Sequence, residues 1–360
     1  MKSLKNTSIY TYMIIILLII IIYMSKDLDI AKNNKNEFIN NSLHYNGYHP
    51  HDIEINFSTI PIRTVALRPE IADTIIALNA GQYVIAAYIP PERKTDIAYF
   101  QKNLPNAKIY TRNPTKEEII LLNPDFIIGW NNSFSEKSLG DIQYWNARGI
   151  PTYIEENSGA IPNPYPPFNM SFDTPPFSVQ NEIQFIKNMG KIFKKENAAT
   201  REIDKIKNAL YEAKALAKLQ KNKVVLTMQF RRGKVEVLGN QSLSGDIIHH
   251  LGCENIDYEG LLMPTENLLM MNPDAIIIIY DYIGGDASLK NQLKKLHEYP
   301  YNQLSAVKQN HIGAMQYFND LIATNVHTAN SIWKVYEAIY NPSTSYSNAM
   351  KKEYANSISR

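Results

Sequence analysis

The 360-residue chain has one cysteine, Cys253, which excludes an internal disulfide framework, a thiolate zinc cage and an iron–sulfur cluster within one chain. An excess of one charge is also lacking. With 37 Lys and Arg against 35 Asp and Glu the net charge is +2, too small a field to hold nucleic acid electrostatically. The glycine-rich signatures G-x-G-x-x-G and G-x-x-x-x-G-K-[ST] are missing, and Gly284-Gly285-Asp286 reads as an ordinary loop. No Ser/His/Asp set is tied together by spacing, so catalysis is not expected. At 44% hydrophobic residues, the length is ample for two cores of ordinary size.

The N-terminus sets the expected compartment. Lys2 and Lys5 precede the apolar stretch Met13–Met24, the layout of a signal peptide. The core is short for a spanning helix unless residues 9–12 extend it, and no small-x-small cleavage site follows. Residues 1–25 are therefore expected to be a signal or an uncleaved membrane anchor, with the rest of the chain exported. Residues 26–51, rich in Asn and Lys, read as a flexible tether; its His44, His49 and His51 match no closed metal-site spacing.

An internal repeat divides the body. Residues 117–128 recur 149 positions later as residues 266–277, without a gap. Glu117 and Glu266, Asn123 and Asn272, Pro124 and Pro273, Asp125 and Asp274 match, as do two isoleucines, while four further positions exchange one aliphatic residue for another. Each copy predicts a short helix with Glu in its first turn, an Asn-Pro-Asp stop and a buried strand. Continuous apolar strands after helices indicate parallel sheet covered on both faces. The alternation around each copy predicts an N-terminal α/β lobe over 52–178 and a C-terminal lobe over 223–340, with a polar tail at 341–360. Between them, residues 179–222 read as a helical spine; within it residues 198–219, with apolar Ile203, Ile206, Leu210, Ala213 and Leu216 on one face, make a rod about 33 Å long. The fold class is thus α/β, two Rossmann-like lobes joined by a long rigid helix, with a ligand cleft between the lobes. Two such lobes also describe an exported nucleotide-sugar-using enzyme, the competing class.

Ligands of open α/β sheets collect at the carboxyl ends of strands. That rule nominates Arg68, Tyr88, Arg112 and Trp130 on the first lobe, and Arg231, Arg232, Tyr280, Tyr282 and Tyr317 on the second. Guanidinium forks beside aromatic rings suit a bulky anionic complex. Residues 155–177 add six prolines interleaved with Tyr165, Phe168, Phe172 and Phe177, which predicts an extended loop at the cleft end, either an aromatic wall or an outer strap.

Residues 63–81, the two Glu…Asn-Pro-Asp units and the order of elements from about 52 to 340 resemble the class III periplasmic substrate-binding proteins of ABC importers. That family captures ferric siderophores, haem and cobalamin. The resemblance implies a ferric chelate as transported ligand, with haem or cobalamin as alternatives, no intrinsic cofactor, and a monomer that meets a permease dimer with its ATPase. It further implies that Glu117 and Glu266, one per lobe, dock onto arginines of the permease. Two equivalent lobes presenting equivalent anions suit a two-fold symmetric partner. His249, His250 and His311 make unpersuasive haem ligands, and no His and carboxylate spacing suggests capture of a free metal ion.

Overall fold

A computed structural model describes residues 42–45, 53–57, 59–158, 177–231, 233–258, 262–280, 288–316 and 324–342. The N-terminal apolar segment, most of the tether, the proline-rich residues 159–176 and the tail beyond 342 lie outside the described residues. Two compact units divide the chain: residues 1–45 with 52–60, and residues 46–51 with 61–360. In the first, β1 (Ser42–Tyr45) pairs antiparallel with β2 (Ile53–Asn56), Ser42 opposite Asn56. Part of the expected tether is therefore strand.

The second unit holds two separate sheets. In the first, β3 (Thr64–Ala66), β4 (Val84–Tyr88), β5 (Lys108–Tyr110), β6 (Phe126–Gly129) and β7 (Thr152–Ile154) are all parallel, in the order β5-β4-β3-β6-β7. Helices α1 (Pro69–Ala77), α2 (Ile97–Asn103), α3 (Lys116–Leu122) and α4 (Ile142–Asn146) alternate with them. Pro69 at the first helical position, where no amide partner is needed, starts α1. The expected helical spine resolves into two helices, α5 (Val179–Ile192) and the 22-residue α6 (Glu196–Ala217). The break falls at Lys194, whose φ of 52° leaves the right-handed helical region. The two helices approach closely just there: a Cβ on Gly190 would sit 2.5 Å from the Ala199 Cβ.

The second sheet runs β11-β9-β8-β12-β13, with β10 (Glu254–Asn255) also paired to β8. Its strands are β8 (Val224–Arg231), β9 (Lys234–Val237), β11 (Leu262–Met263), β12 (Ala275–Tyr280) and β13 (Ile312–Gln316), accompanied by α7 (Leu243–His250), α8 (Thr265–Met271), α9 (Leu289–Leu296), α10 (Ser305–Lys308) and α11 (Thr328–Tyr340). The sequence repeat extends into topology. The parallel trio β3-β6-β7 is matched by the parallel trio β8-β12-β13, with Val65 opposite Ile127 in one and Leu226 opposite Ile276 in the other. The lobes differ on the other flank, where β4 and β5 are parallel but β8 and β9 form an antiparallel hairpin.

The Asn-Pro-Asp units explain their own recurrence. Asn123 and Asn272 end α3 and α8 in the left-handed conformation, with φ of 46° and 41°. Proline then forbids further helix. The Asp125 carboxylate accepts the Ile62 and Arg63 amides, both at 2.9 Å, where the chain enters β3. Asp274 accepts the Val224 amide at 3.0 Å, where it enters β8. Each aspartate thus ties the start of its own strand to the neighbouring strand.

Glu182 fastens the spine to both lobes. Its carboxylate, fully buried on α5, accepts the Asn157 side-chain amide (2.6 Å) from the first lobe and the Thr324 and Asn325 backbone amides (3.0 and 2.5 Å) ahead of α11. Asn157 in turn exchanges two hydrogen bonds with the Ser178 backbone, both 3.1 Å, holding the residues that flank 159–176 together. A second link joins His327 to the nearly buried Asp73 on α1 at 3.1 Å; Arg93 bridges Asp73 (3.3 Å), Glu70 (3.6 Å) and Asp96 (2.7 Å). Burial raises the pKa of Glu182 and of Glu155 above the carboxylate range, and the neighbouring Glu182 charge adds to the rise at Glu155. Glu156 is pushed up to about 8 by burial, against the Tyr153 hydroxyl (2.5 Å) and the Asn188 amide that favour its charge. The residue is half-exposed as a whole, but its Oε2 is shut off from solvent.

Glu182→Ala orphans three donors and is expected to cost about 3 kcal/mol or more, read from urea unfolding. Raised carboxyl values mean that the folded chain keeps protons which the unfolded chain has released. Stability is therefore greatest below about pH 4.5 for these groups and falls as pH rises toward 8. Glu156→Gln should lessen the fall in thermal midpoint between pH 5 and pH 8.5; parallel profiles for variant and parent would refute the assignment.

Candidate functional site

The carboxyl ends of the first lobe's parallel strands bring together Arg68, Glu70 and Trp130. Arg68 follows β3, and its guanidinium lies 3.7 Å from the centre of the Trp130 ring, which follows β6. Its Nε stands 3.6 Å from Glu70, a buried carboxyl whose pKa burial raises despite the opposing pull of Arg68 and Arg93. The side chain of Arg68 keeps 16% exposure, and its Nε is shut off from solvent. Trp130 is itself only 2% exposed. The sequence reading nominated Trp130 as a cleft ring; the structure places it beneath Arg68 as a support. Tyr88 ends β4 half-buried.

In the second lobe, Tyr280 ends β12 inside the apolar core at 2% exposure, because β12 is covered along its whole length. Arg231 ends β8 at the hairpin turn, with 44% side-chain exposure and an ion pair of 3.3 Å to Glu236. Arg232, Tyr282 and Tyr317 lie outside the described residues. Among the described site residues, Arg231 is exposed, Arg68 and Tyr88 are half-buried, and Trp130 and Tyr280 are buried.

Arg112 has a different place from the one expected of a ligand arm. Its two terminal nitrogens donate to both oxygens of Glu118, at 2.9 and 2.7 Å. Glu118 also accepts the Thr115 amide (2.8 Å), while the Thr115 hydroxyl accepts the Glu118 amide (3.2 Å), a reciprocal cap at the start of α3. Those donors hold the Glu118 carboxyl at about 2, the Arg112 bond being the largest cause. The capping role therefore belongs to Glu118. Glu117, beside it, is exposed and makes no hydrogen bond or ion pair among the described residues; Glu266 in α8 stands likewise.

Sequence reasoning missed the buried acids. Glu182 had a legible signal, because it falls within the spacing of Val179, Phe185, Ile186 and Met189, a charge inside an apolar stripe. Glu70 and Glu155 had none: each becomes buried only when lobe and spine close over it.

A family model described as periplasmic binding protein matches residues 65–316. No curated protein matches the chain. Among solved structures, a periplasmic binding protein from Veillonella parvula is 22% identical over 80% of this chain and 87% of its own, with a TM-score of 0.68. An ABC-type Fe3+-hydroxamate transport system structure from Saccharomonospora viridis is 16% identical over 80% and 97%, with a TM-score of 0.59. A petrobactin-binding protein from Bacillus subtilis is 19% identical over 81% and 96%, with a TM-score of 0.58. At these identities the likeness is one of fold: two α/β lobes of the same plan. The matched span takes in both lobes, from β3 to β13, and the chain belongs to the periplasmic binding protein family, a family of extracytoplasmic solute binders.

Proposed function

We propose that the chain is the solute-binding component of an ABC importer, capturing a ferric siderophore and delivering it to a permease dimer with its ATPase. The observation that carries this reading is the pair Glu117 and Glu266. They occupy the same register of a duplicated helix, both exposed, both without a partner among the described residues, and neither is needed for the cap. Two identical anions on two equivalent lobes fit a partner built on a two-fold axis with a cation on each half.

The iron chelate is supported by the strand-end chemistry and by the cargo for which two fold relatives are named, Fe3+-hydroxamate and petrobactin. Arg68 offers a guanidinium whose orientation is set by Trp130 below and Glu70 beside it. Arg231 offers a second from the other lobe. Together they would clamp an anionic complex between the lobes, with Tyr88, Arg232, Tyr282 and Tyr317 as further contacts and Trp130 and Tyr280 as the rings behind. Arg112 is left out, since Glu118 fills its fork. The N-terminal apolar segment would keep the protein at the outer face of the membrane as signal or anchor.

Quenching of tryptophan fluorescence against ferric hydroxamates, ferric catecholates, haem and cobalamin tests the cargo, and saturable quenching by haem or cobalamin alone would reject it. Replacing Arg68 and Arg231 together by Gln should weaken an anionic chelate by about 3 kcal/mol, more than a hundredfold, at one charged hydrogen bond each. Glu117→Ala with Glu266→Ala should abolish cellular uptake of the chelate while leaving its equilibrium affinity unchanged. Loss of affinity in that variant would contradict a docking role.

A further inference from the structure

The two repeat helices carry more than their acids. Among the described residues ten large hydrophobic side chains are exposed, and four of them, Ile120, Leu121, Met270 and Met271, lie on α3 and α8. Leu121 and Met270 are each 85% exposed, and they occupy the same position of the repeat. Isolated exposed apolar residues are ordinary on protein surfaces. A pair at one register of two equivalent helices is a different matter, because each copy has kept an aliphatic or thioether side chain where packing imposes none. The residues that packing does require, Ile119 and Leu268, are fully buried on the opposite side.

Leu121 stands four residues after Glu117, and Met270 four after Glu266. On a helix, positions i and i+4 are neighbours, with Cβ atoms about 5–6 Å apart. Each lobe therefore presents one composite feature: an exposed carboxylate, without a partner among the described residues, with an apolar side chain one turn further on. We propose that Leu121 and Met270 are apolar anchors that insert beside the docking carboxylates, and that the partner carries on each half a cationic group next to an apolar pocket. This rests on the docking reading of Glu117 and Glu266 and adds the contact that supplies area and retention. The charge pair steers and registers the encounter; the apolar side chain excludes water around it and slows release. A lipid surface fits poorly as the occupant, since the adjacent carboxylates would meet anionic headgroups.

The test uses the full-length protein and its cognate permease–ATPase complex in nanodiscs, with complex affinity measured by interferometry at low and high salt. Leu121→Ala with Met270→Ala should weaken the complex at least about tenfold, leave its salt dependence unchanged and leave chelate affinity unchanged. The exchange Leu121→Met with Met270→Leu should restore parental affinity. Glu117→Ala with Glu266→Ala should weaken the complex and flatten its salt dependence. An alanine pair as tight as the parent, while the acid pair is weakened, overturns the anchors and leaves docking intact. An unchanged acid pair overturns the docking reading and the anchors with it. Binding of the parent to protein-free nanodiscs that the alanine pair loses would assign the surface to lipid and overturn the proposal.

Discussion

The architecture depends on how a short helix is made to stop above a parallel strand. At 123–125 and again at 272–274 the helix ends in a left-handed asparagine, proline blocks the next turn, and aspartate accepts backbone amides at the entry of the neighbouring strand. In the first lobe Arg63 closes the arrangement by donating to the Asn123 and Leu122 carbonyls, at 2.9 and 2.5 Å, which would otherwise be left over at the helix end. In the second lobe the Asn272 side chain does related work, accepting the Ser305 amide at 2.8 Å. The constraint orients α3 and α8 on their sheets and so decides which residues of each helix face water.

The same constraint separates surface from core with little freedom. With seven residues in each helix, only about two turns are available. One side must carry Ile119 or Leu268 into the lobe, and the other is left for solvent. What stands on that outer side is then a matter of chemistry and not of folding. In both copies it is an acid and an apolar residue one turn apart.

Joining the lobes is a costlier problem. Carboxyls such as Glu182 and Glu155 are withdrawn from water at the place where the first lobe, the spine and the approach to α11 meet. Burial of a charge is unfavourable unless donors surround it, and Glu182 has three. A junction made of directed hydrogen bonds accepts one geometry far better than its neighbours, whereas apolar packing alone tolerates sliding. The hydrogen-bonded cluster of Arg93, Asp73 and His327 adds a second point of attachment, so α1 of the first lobe and the lead-in to α11 are tied directly as well as through the spine.

The sequence by itself determined the duplication, the parallel strands at 126–129 and 275–280, the helical spine and the two exposed acids. Each of these is written in local spacing: apolar runs of strand length, a proline after asparagine, a glutamate seven residues before it. The buried Glu182 left a signal that went unread, a charge inside the apolar stripe of its helix. Tertiary structure alone decided that Trp130 is buried beneath Arg68, that Arg112 is committed to Glu118, and that Glu70 and Glu155 are buried. The reason is one of range. Helix starts, stops and strand periods depend on residues within a few positions of each other, while burial and pairing depend on which distant segments close over a side chain.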